Sequence, residues 1–320
     1  MSEPVRWGLL STARINDAIL GGGAQSERTD VVAVASRDQG RAEAYARAHG
    51  IERAHASYEA LLADENVEVV YISLPNSMHT EWSIRALEAG KHVLCEKPLG
   101  RRPETVAHAF DAAERAGRLL MEAFMYRHHP QTKKAAELVR DGAIGELRQV
   151  RSLFSWTLAD DADVRWLPEL DGGALMDLGC YCVSMQRLLA GEPELAFGRQ
   201  RSGATGVDIG FAGILQFTGD VLGEFHCGFD LPARSGLEAV GSKGTLVVRD
   251  PVRCRDPHVE LDGARIDVDD VDRYFLQVDN FSAAVRGEAE PLLGRADALA
   301  QARLLEALYR SAATGEAVSL

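Results

Sequence analysis

The chain has 320 residues, 46% of them hydrophobic, and a formal net charge of −13 at neutral pH. That length accommodates two domains with separate cores, and the acidic balance argues against nucleic-acid binding as the main activity. No apolar run approaches the ~20 residues of a membrane span, the opening MSEPVRWG lacks the basic segment and apolar stretch expected of a secretory signal, and five cysteines without a C-x-x-C pair read as free thiols of a reducing cytoplasm, with no metal site expected.

Residues 1–125 alternate short β-rich runs with helical patterns. Strands are expected at 5–10, 30–36, 67–74, 92–96 and 119–124, with helices at 16–20, 40–49, 58–63, 80–88 and 104–116. Most of the strands are continuous apolar runs, as in a parallel sheet covered on both faces. Residues 126–320 have another rhythm. A helix at 131–141 leads to a strand at 146–156 and a helix at 173–189; period-two runs follow at 208–218, 220–230, 236–240 and 245–249, then helices at 272–286 and 296–313. The expected fold class is α/β: a doubly wound parallel sheet in 1–125, then an α+β domain in 126–320 with a large, mostly antiparallel open sheet.

After the first strand a dinucleotide-binding chain would carry G-x-G-x-x-G, but residues 11–16 read Ser-Thr-Ala-Arg-Ile-Asn. The grip on a pyrophosphate comes from backbone N–H groups and a helix N-terminus, which exist without glycine. Taken alone, the stretch reads rather as an ordinary strand–turn–helix connection with no ligand. The second strand adds to it. Where an NAD-binding chain would place a carboxylate, "VAVASRDQGRA" puts Ser36 and Arg37, with Arg41 a turn later. A guanidinium without a carboxylate suits a 2′-phosphate, so NADP is the expected cofactor, with NAD possible.

Two further strand ends carry chemistry. "SLPNSMH" holds Leu74, Pro75, Asn76 and His79, and "HVLCEKPLG" sets Glu96 and Lys97 before Pro98, at the carboxyl end of the sheet where such folds place ligands. In "LDGGALMDLGCYCV", Asp177 and Tyr181 are spaced i, i+4 and share one face of a helix. An acid, a phenol and a lysine from different elements make a proton-transfer set. The plain alternatives are a surface aspartate, a core tyrosine and a helix-start histidine. Tyr126, Arg127, His129 and Trp166 are polyol-pocket candidates that read equally well as packing.

These motifs, with "WGLLSTARI", "MEAFMYRHHPQ" and "EAVGSKGTL", make the chain resemble the Gfo/Idh/MocA oxidoreductases along essentially its whole length. Tyr181 is similar to the branch of dimeric dihydrodiol dehydrogenases, glucose–fructose oxidoreductase and D-xylose 1-dehydrogenases. The resemblance implies a Rossmann domain and a second domain whose open sheet forms a subunit interface, hence a homo-oligomer. It implies catalytic roles for Lys97, Tyr181 and Asp177. It also implies cofactor contacts from Ser11, Thr12, Ala13, Arg14, Ile15, Ser36, Arg37, Arg41, Leu74, Pro75, Asn76, His79, Glu96, Lys97, Arg165 and Trp166. The sequence departs from the family pattern at Asp171, where a glycine triplet loses its first member, and at Asp163, where an asparagine commonly stands. The implied activity is hydride transfer between a nicotinamide and a carbon of a sugar or cyclic diol. Either Tyr181 or Lys97 carries the proton. The alternatives are a dinucleotide-binding regulator without turnover and a tetrapyrrole reductase; no nucleic-acid or membrane partner is expected.

Overall fold

The computed structural model describes residues 3–320, and the chain divides into two compact units. The first holds six strands: β1 (Val5–Leu10), β2 (Thr29–Ala35), β3 (Arg53–His55), β4 (Val69–Ile72), β5 (His92–Cys95) and β6 (Leu120–Glu122). Their order is β3-β2-β1-β4-β5-β6 and every neighbouring pair is parallel. The connecting helices are α1 (Asn16–Gly23), α2 (Gln39–His49), α3 (Tyr58–Leu62), α4 (His79–Glu88) and α5 (Pro103–Ala116). β4 is buried at all four positions, as expected of a strand covered on both faces. β3 is absent from the sequence reading because its three residues are only half-buried and carry no apolar signal.

The second unit begins with α6 (Pro130–Arg140) and β7 (Leu147–Ser155). A five-residue π-helical turn, Leu175–Gly179, then runs into α7 (Cys180–Ala190). The strands β8 (Pro193–Ser202), β9 (Asp208–Phe217), β10 (Val221–Gly228), β11 (Arg234–Gly241), β12 (Thr245–Val248), β13 (His258–Leu261) and β14 (Ala264–Asp267) follow. After β14 the chain forms α8 (Arg273–Val285), α9 (Arg295–Thr314) and the short β15 (Val318–Ser319). The nine-stranded sheet has the order β14-β13-β12-β11-β7-β10-β9-β8-β15. Its pairs are antiparallel except β7 with β10.

One face of this sheet is covered. Gln186 on α7 donates to Ser152 Oγ and to the Glu224 carbonyl, each at 2.8 Å, and Ser152 Oγ donates to the Cys182 carbonyl. On the other face Ala212, Ile214, Leu222, Glu224 and His226 are exposed, in strict alternation with buried neighbours. All five cysteines are buried free thiols. Among the described residues no helix is long and apolar enough to cross a membrane.

The expected division at residue 125 needs two corrections: Arg101–Pro103 belongs to the second unit, and Asp272–Leu299 returns to the first. α8 is the reason for the return. Its Phe281, fully buried, meets Trp7 edge-on at 5.9 Å, and Trp7 Nε1 donates to Ser282 Oγ at 3.0 Å.

Candidate active site

The loop from β1 to α1 answers how a phosphate turn forms without glycine. Ser11 adopts φ 143°, a conformation glycine takes freely and other residues rarely do. Its side chain and backbone are tied on three sides. Ser11 Oγ lies 2.7 Å from Ser73 Oγ, Asn16 Nδ2 donates to the Ser11 carbonyl at 2.8 Å, and Ser73 Oγ donates to Asn16 Oδ1 at 2.7 Å. The Ala13 amide donates back to Ser11 Oγ at 3.1 Å. Asn16 is therefore a fully buried loop lock, and no side chain caps α1. Among the described residues the amides of Thr12, Arg14 and Ile15 donate to no protein acceptor. Those donors at a helix N-terminus fit a pyrophosphate.

At the end of β2, Ser36 is buried while Arg37 and Arg41 are exposed. Burial raises the Tyr58 phenol pKa, and Arg37 and Arg41, acting against that, stand beside it. This cationic corner suits an adenosine phosphate. The acidic residue nearby, Asp38, is occupied in capping α2, accepting from the Arg41 amide at 2.7 Å.

Lys97 follows β5 and is half-buried. Its amide donates to Glu96 Oε2 at 3.3 Å, and Glu96 Oε1 accepts from the Tyr71 hydroxyl at 2.5 Å. Tyr274, on α8, joins this group. Burial first, then Glu96, pushes its phenol up to about 12, against the pull of Arg273 and Lys97. No sequence signal marked Tyr274, because α8 reaches the first unit from the far end of the chain.

His79 corrects an expectation. It is 1% exposed, and its ring nitrogens lie 2.8 Å from the carbonyl oxygens of Pro98 and Leu74. It thus ties the residue after Lys97 to the end of β4, and neither nitrogen is presented to a ligand. Leu74 is buried, whereas Pro75 and Asn76 are half-buried at the start of a 3₁₀ turn.

In the second unit, Asp177 and Tyr181 do not lie on one regular α-helix as expected. Asp177 sits within the π-turn and Tyr181 in the first turn of α7. Such turns recur at functional sites. Tyr181 is 6% exposed, and its ring is held edge-on by Tyr126 at 5.8 Å and Phe154 at 5.7 Å. Asp177 accepts from Arg165 Nε at 2.8 Å, and Asp163 pairs with Arg165 Nη1 at 3.1 Å. Asp177 chiefly, opposed by burial, raises the Arg165 pKa. Arg165 is therefore a fixed cation between two carboxylates. Asp163 also caps the Arg165 amide at 3.0 Å, a task the usual asparagine would perform equally. Asp171 stands at φ 52°, where the missing glycine would be at ease.

The four pocket candidates have these surroundings. Tyr126 is fully buried and donates to Ser184 Oγ at 2.8 Å. His129 is fully buried and caps α6 through the Gln131 amide. Trp166 packs edge-on against Phe229 at 5.5 Å and donates to the Asp160 carbonyl. Arg127 is half-buried with Nη1 3.5 Å from Ser184 Oγ.

A parallel nucleotide-binding unit followed by a one-sidedly covered sheet defines a class of two-unit dehydrogenases. The family model for the NAD-binding Rossmann domain of this oxidoreductase family matches residues 6–124, and that for the GFO/IDH/MocA C-terminal domain matches residues 132–247. The chain belongs to the GFO/IDH/MocA family and is an NAD(P)-dependent oxidoreductase. It is 38% identical to D-xylose 1-dehydrogenase (NADP(+)) 2 of Haloferax volcanii, over 98% of this chain and 99% of that protein. It is 36% identical to trans-1,2-dihydrobenzene-1,2-diol dehydrogenase of Macaca fuscata fuscata, over 78% of this chain and 76% of that one. Among solved structures, a 3-ketoreductase from Actinomadura kijaniata in complex with NADP and TDP-benzene superimposes with a TM-score of 0.91 at 30% identity, covering 96% of this chain and 98% of that one. Structures of the same reductase with a tyrosine changed to phenylalanine and a lysine changed to alanine are also similar.

The 3₁₀ turn Met125–His128 also carries a proton-linked group. His128 is 3% exposed and its Nε2 has no hydrogen-bond partner. Burial, then Lys133 and Arg127, lower its pKa to about 3. A free imidazole titrates near ~6.5, so the unfolded chain takes up a proton below that pH and the folded chain does not until about 3. Stability is complete above the unfolded pKa and falls as pH drops. Urea unfolding at pH 5 should show about 2 kcal/mol less stability from this residue than at pH 8, and His128→Phe should remove that share of the slope. An unchanged slope in the variant would contradict the assignment.

Proposed function

We propose that the protein is an NADP-dependent dehydrogenase that oxidises the C1 hydroxyl of aldoses or a carbon of cyclic trans-diols, in a reducing cytoplasm. The observation that carries the cofactor reading is the set of three unpartnered amides (Thr12, Arg14, Ile15) in the loop before α1, together with Arg37 and Arg41 after β2. The substrate class is supported by the D-xylose and dihydrodiol dehydrogenases to which the chain is similar.

The nicotinamide, when bound, supplies the hydride acceptor. The chain supplies proton transfer and orientation. Tyr181 is the acid/base: it takes the substrate hydroxyl proton in the oxidation direction and returns it in reduction. A free phenol near pKa ~10 is a poor base at neutral pH, and an ammonium within ~4–6 Å stabilises the phenolate. Lys97 provides that charge. Asp177, held in place by its ion pair with Arg165, anchors a substrate hydroxyl. In the Actinomadura reductase the substituted lysine and tyrosine have the same separation along the chain as Lys97 and Tyr181, which supports the pairing.

Lys97→Met and Tyr181→Phe should each lower kcat at least ~100-fold while the NADP Kd stays within threefold, measured by nicotinamide absorbance and fluorescence titration on a panel of aldoses, inositols and trans-diols. Near-normal turnover in either variant defeats the assignment. For the cofactor, Arg37→Ala should cut kcat/KM for NADP about 10–100-fold, the worth of one charged hydrogen bond, and leave NAD nearly unchanged. An equal loss with both cofactors would remove Arg37 from the phosphate site.

The open sheet face is the contact with a second copy of the chain. Supporting this, Ile214 (52% exposed) and Leu222 (49%) stand out from β9 and β10 beside a row of opposite charges in which Arg151 pairs with Glu224 and Glu238. A row of both signs can meet its own copy across a twofold axis. Light scattering on Ile214→Arg should give monomer where the parent chain gives a dimer or tetramer; a monomeric parent chain would end this part of the reading.

A further inference from the structure

The π-turn that carries Asp177 begins with amides that no local side chain caps. The cap comes from a strand over thirty positions later. Asp208, the first residue of β9, accepts from the Leu175 amide at 2.6 Å through Oδ2. Its other oxygen, Oδ1, accepts from the Tyr309 hydroxyl of α9 at 2.9 Å. Asp208 is 3% exposed, and the Arg101 guanidinium lies 4.1 Å over the Tyr309 ring. The approach is possible only because residue 173 is glycine: it stands at φ 115°, and a Cβ there would collide with Asp208 Oδ1.

A buried carboxylate is an expensive cap, since burial opposes its charged form. Burial raises the Asp208 carboxyl to about 6, even with the Leu175 amide and the Tyr309 hydroxyl stabilising the anion. A serine or threonine at residue 174 would cap the turn more cheaply. What the distant carboxylate adds is a fixed point on the sheet. It ties the first turn to β9 and, through Tyr309, to α9. The need for a fixed point follows from the π-turn itself. Relaxing one five-residue turn to the α pattern changes the register by one residue, which rotates a side chain by about 100° around the axis. Residues ahead of the shift, Asp177 among them, would then turn about the axis relative to Tyr181 and away from the Arg165 pairing that the π-turn register gives it.

We propose that Asp208 and Tyr309 are positioning residues for proton transfer: the relay from Tyr309 through Asp208 to the Leu175 amide holds the π-turn in the register that presents Asp177 and Tyr181 together. This rests on the catalytic assignment of those two residues above.

The test uses the full chain with NADP and the best-oxidised member of the substrate panel. Three variants are compared: Tyr309→Phe, which removes one hydroxyl; Asp208→Ala, which removes the cap; and Asp208→Asn, which keeps an oxygen for the Leu175 amide. Hydrogen exchange read by mass spectrometry should accelerate at least tenfold across residues 174–181 in Tyr309→Phe and Asp208→Ala, with the first unit unchanged. In the same variants kcat should fall tenfold or more while KM for NADP stays within twofold. Asp208→Asn should remain within threefold of the parent chain in both readouts. If Asp208→Ala does not fold, Tyr309→Phe and Asp208→Asn still decide the matter. Unchanged exchange over 174–181, or faster exchange with parental kcat, overturns the proposal. Turnover lost in Tyr181→Phe but kept in Tyr309→Phe overturns it alone; turnover kept in Tyr181→Phe overturns the catalytic assignment and this proposal with it.

Discussion

The first unit depends on one serine held in a glycine's conformation. A non-glycine residue at such a φ costs of order 1–3 kcal/mol, and Ser11 at φ 143° stays there because its surroundings oppose release. The hydroxyl of Ser73, the carboxamide of Asn16 and the amide of Ala13 each make a hydrogen bond to Ser11 or across it. At about 0.5–1.5 kcal/mol apiece, three or four such bonds are enough to offset the strain. The usual glycine fingerprint solves the turn with backbone freedom. This chain solves it with a buried polar triad that spans the ends of β1 and β4.

The second unit solves a related problem with charge. Asp177, Asp163 and Arg165 form a compact set in which one guanidinium pairs with two carboxylates. That set ties Asp177 to the loop bearing Arg165, while the Tyr181 ring in α7 has aromatic surroundings. The glycine pair before the π-turn lets backbone come close. A Cβ on Gly172 would collide with the Arg165 carbonyl, so the loop bearing Arg165 and the turn bearing Asp177 are packed backbone to backbone. Charge pairing and glycine packing therefore specify the same geometry.

Much of this was legible in the sequence. Continuous apolar runs located β1, β2, β4, β5 and β6 to within a few residues, and alternation located β9 to β12, because burial on two faces or one leaves those patterns directly in the residue order. β8 was not legible: only the first half of Pro193–Ser202 alternates, and its outer half is exposed. The β13–β14 hairpin was legible in principle, since Asp262 and Gly263 both stand at positive φ in an Asp-Gly turn, but the strands beside it are short. At the site, residue type marked Lys97, Asp177 and Tyr181. Type alone left His79, Tyr126 and His129 open between packing and a ligand, because a buried histidine or tyrosine bonded within the protein looks the same in sequence as one facing a ligand. The π-turn, Ser73, Tyr274 and Asp208 are defined by partners distant along the chain. Gly179 illustrates this: a Cβ there would lie 2.6 Å from Leu175 Cδ1 and 3.0 Å from Cys227 Sγ, and the second of these contacts comes from β10.

The central proposal is that the glycine-free loop binds the cofactor's pyrophosphate and that Lys97 and Tyr181 act together in proton transfer. A crystal structure of the NADP complex tests it most directly. The account predicts the pyrophosphate on the amides of Thr12, Arg14 and Ile15, and the Lys97 ammonium within ~6 Å of the Tyr181 hydroxyl beside the nicotinamide. A pyrophosphate bound elsewhere, or a lysine and a phenol directed into separate regions, would contradict it.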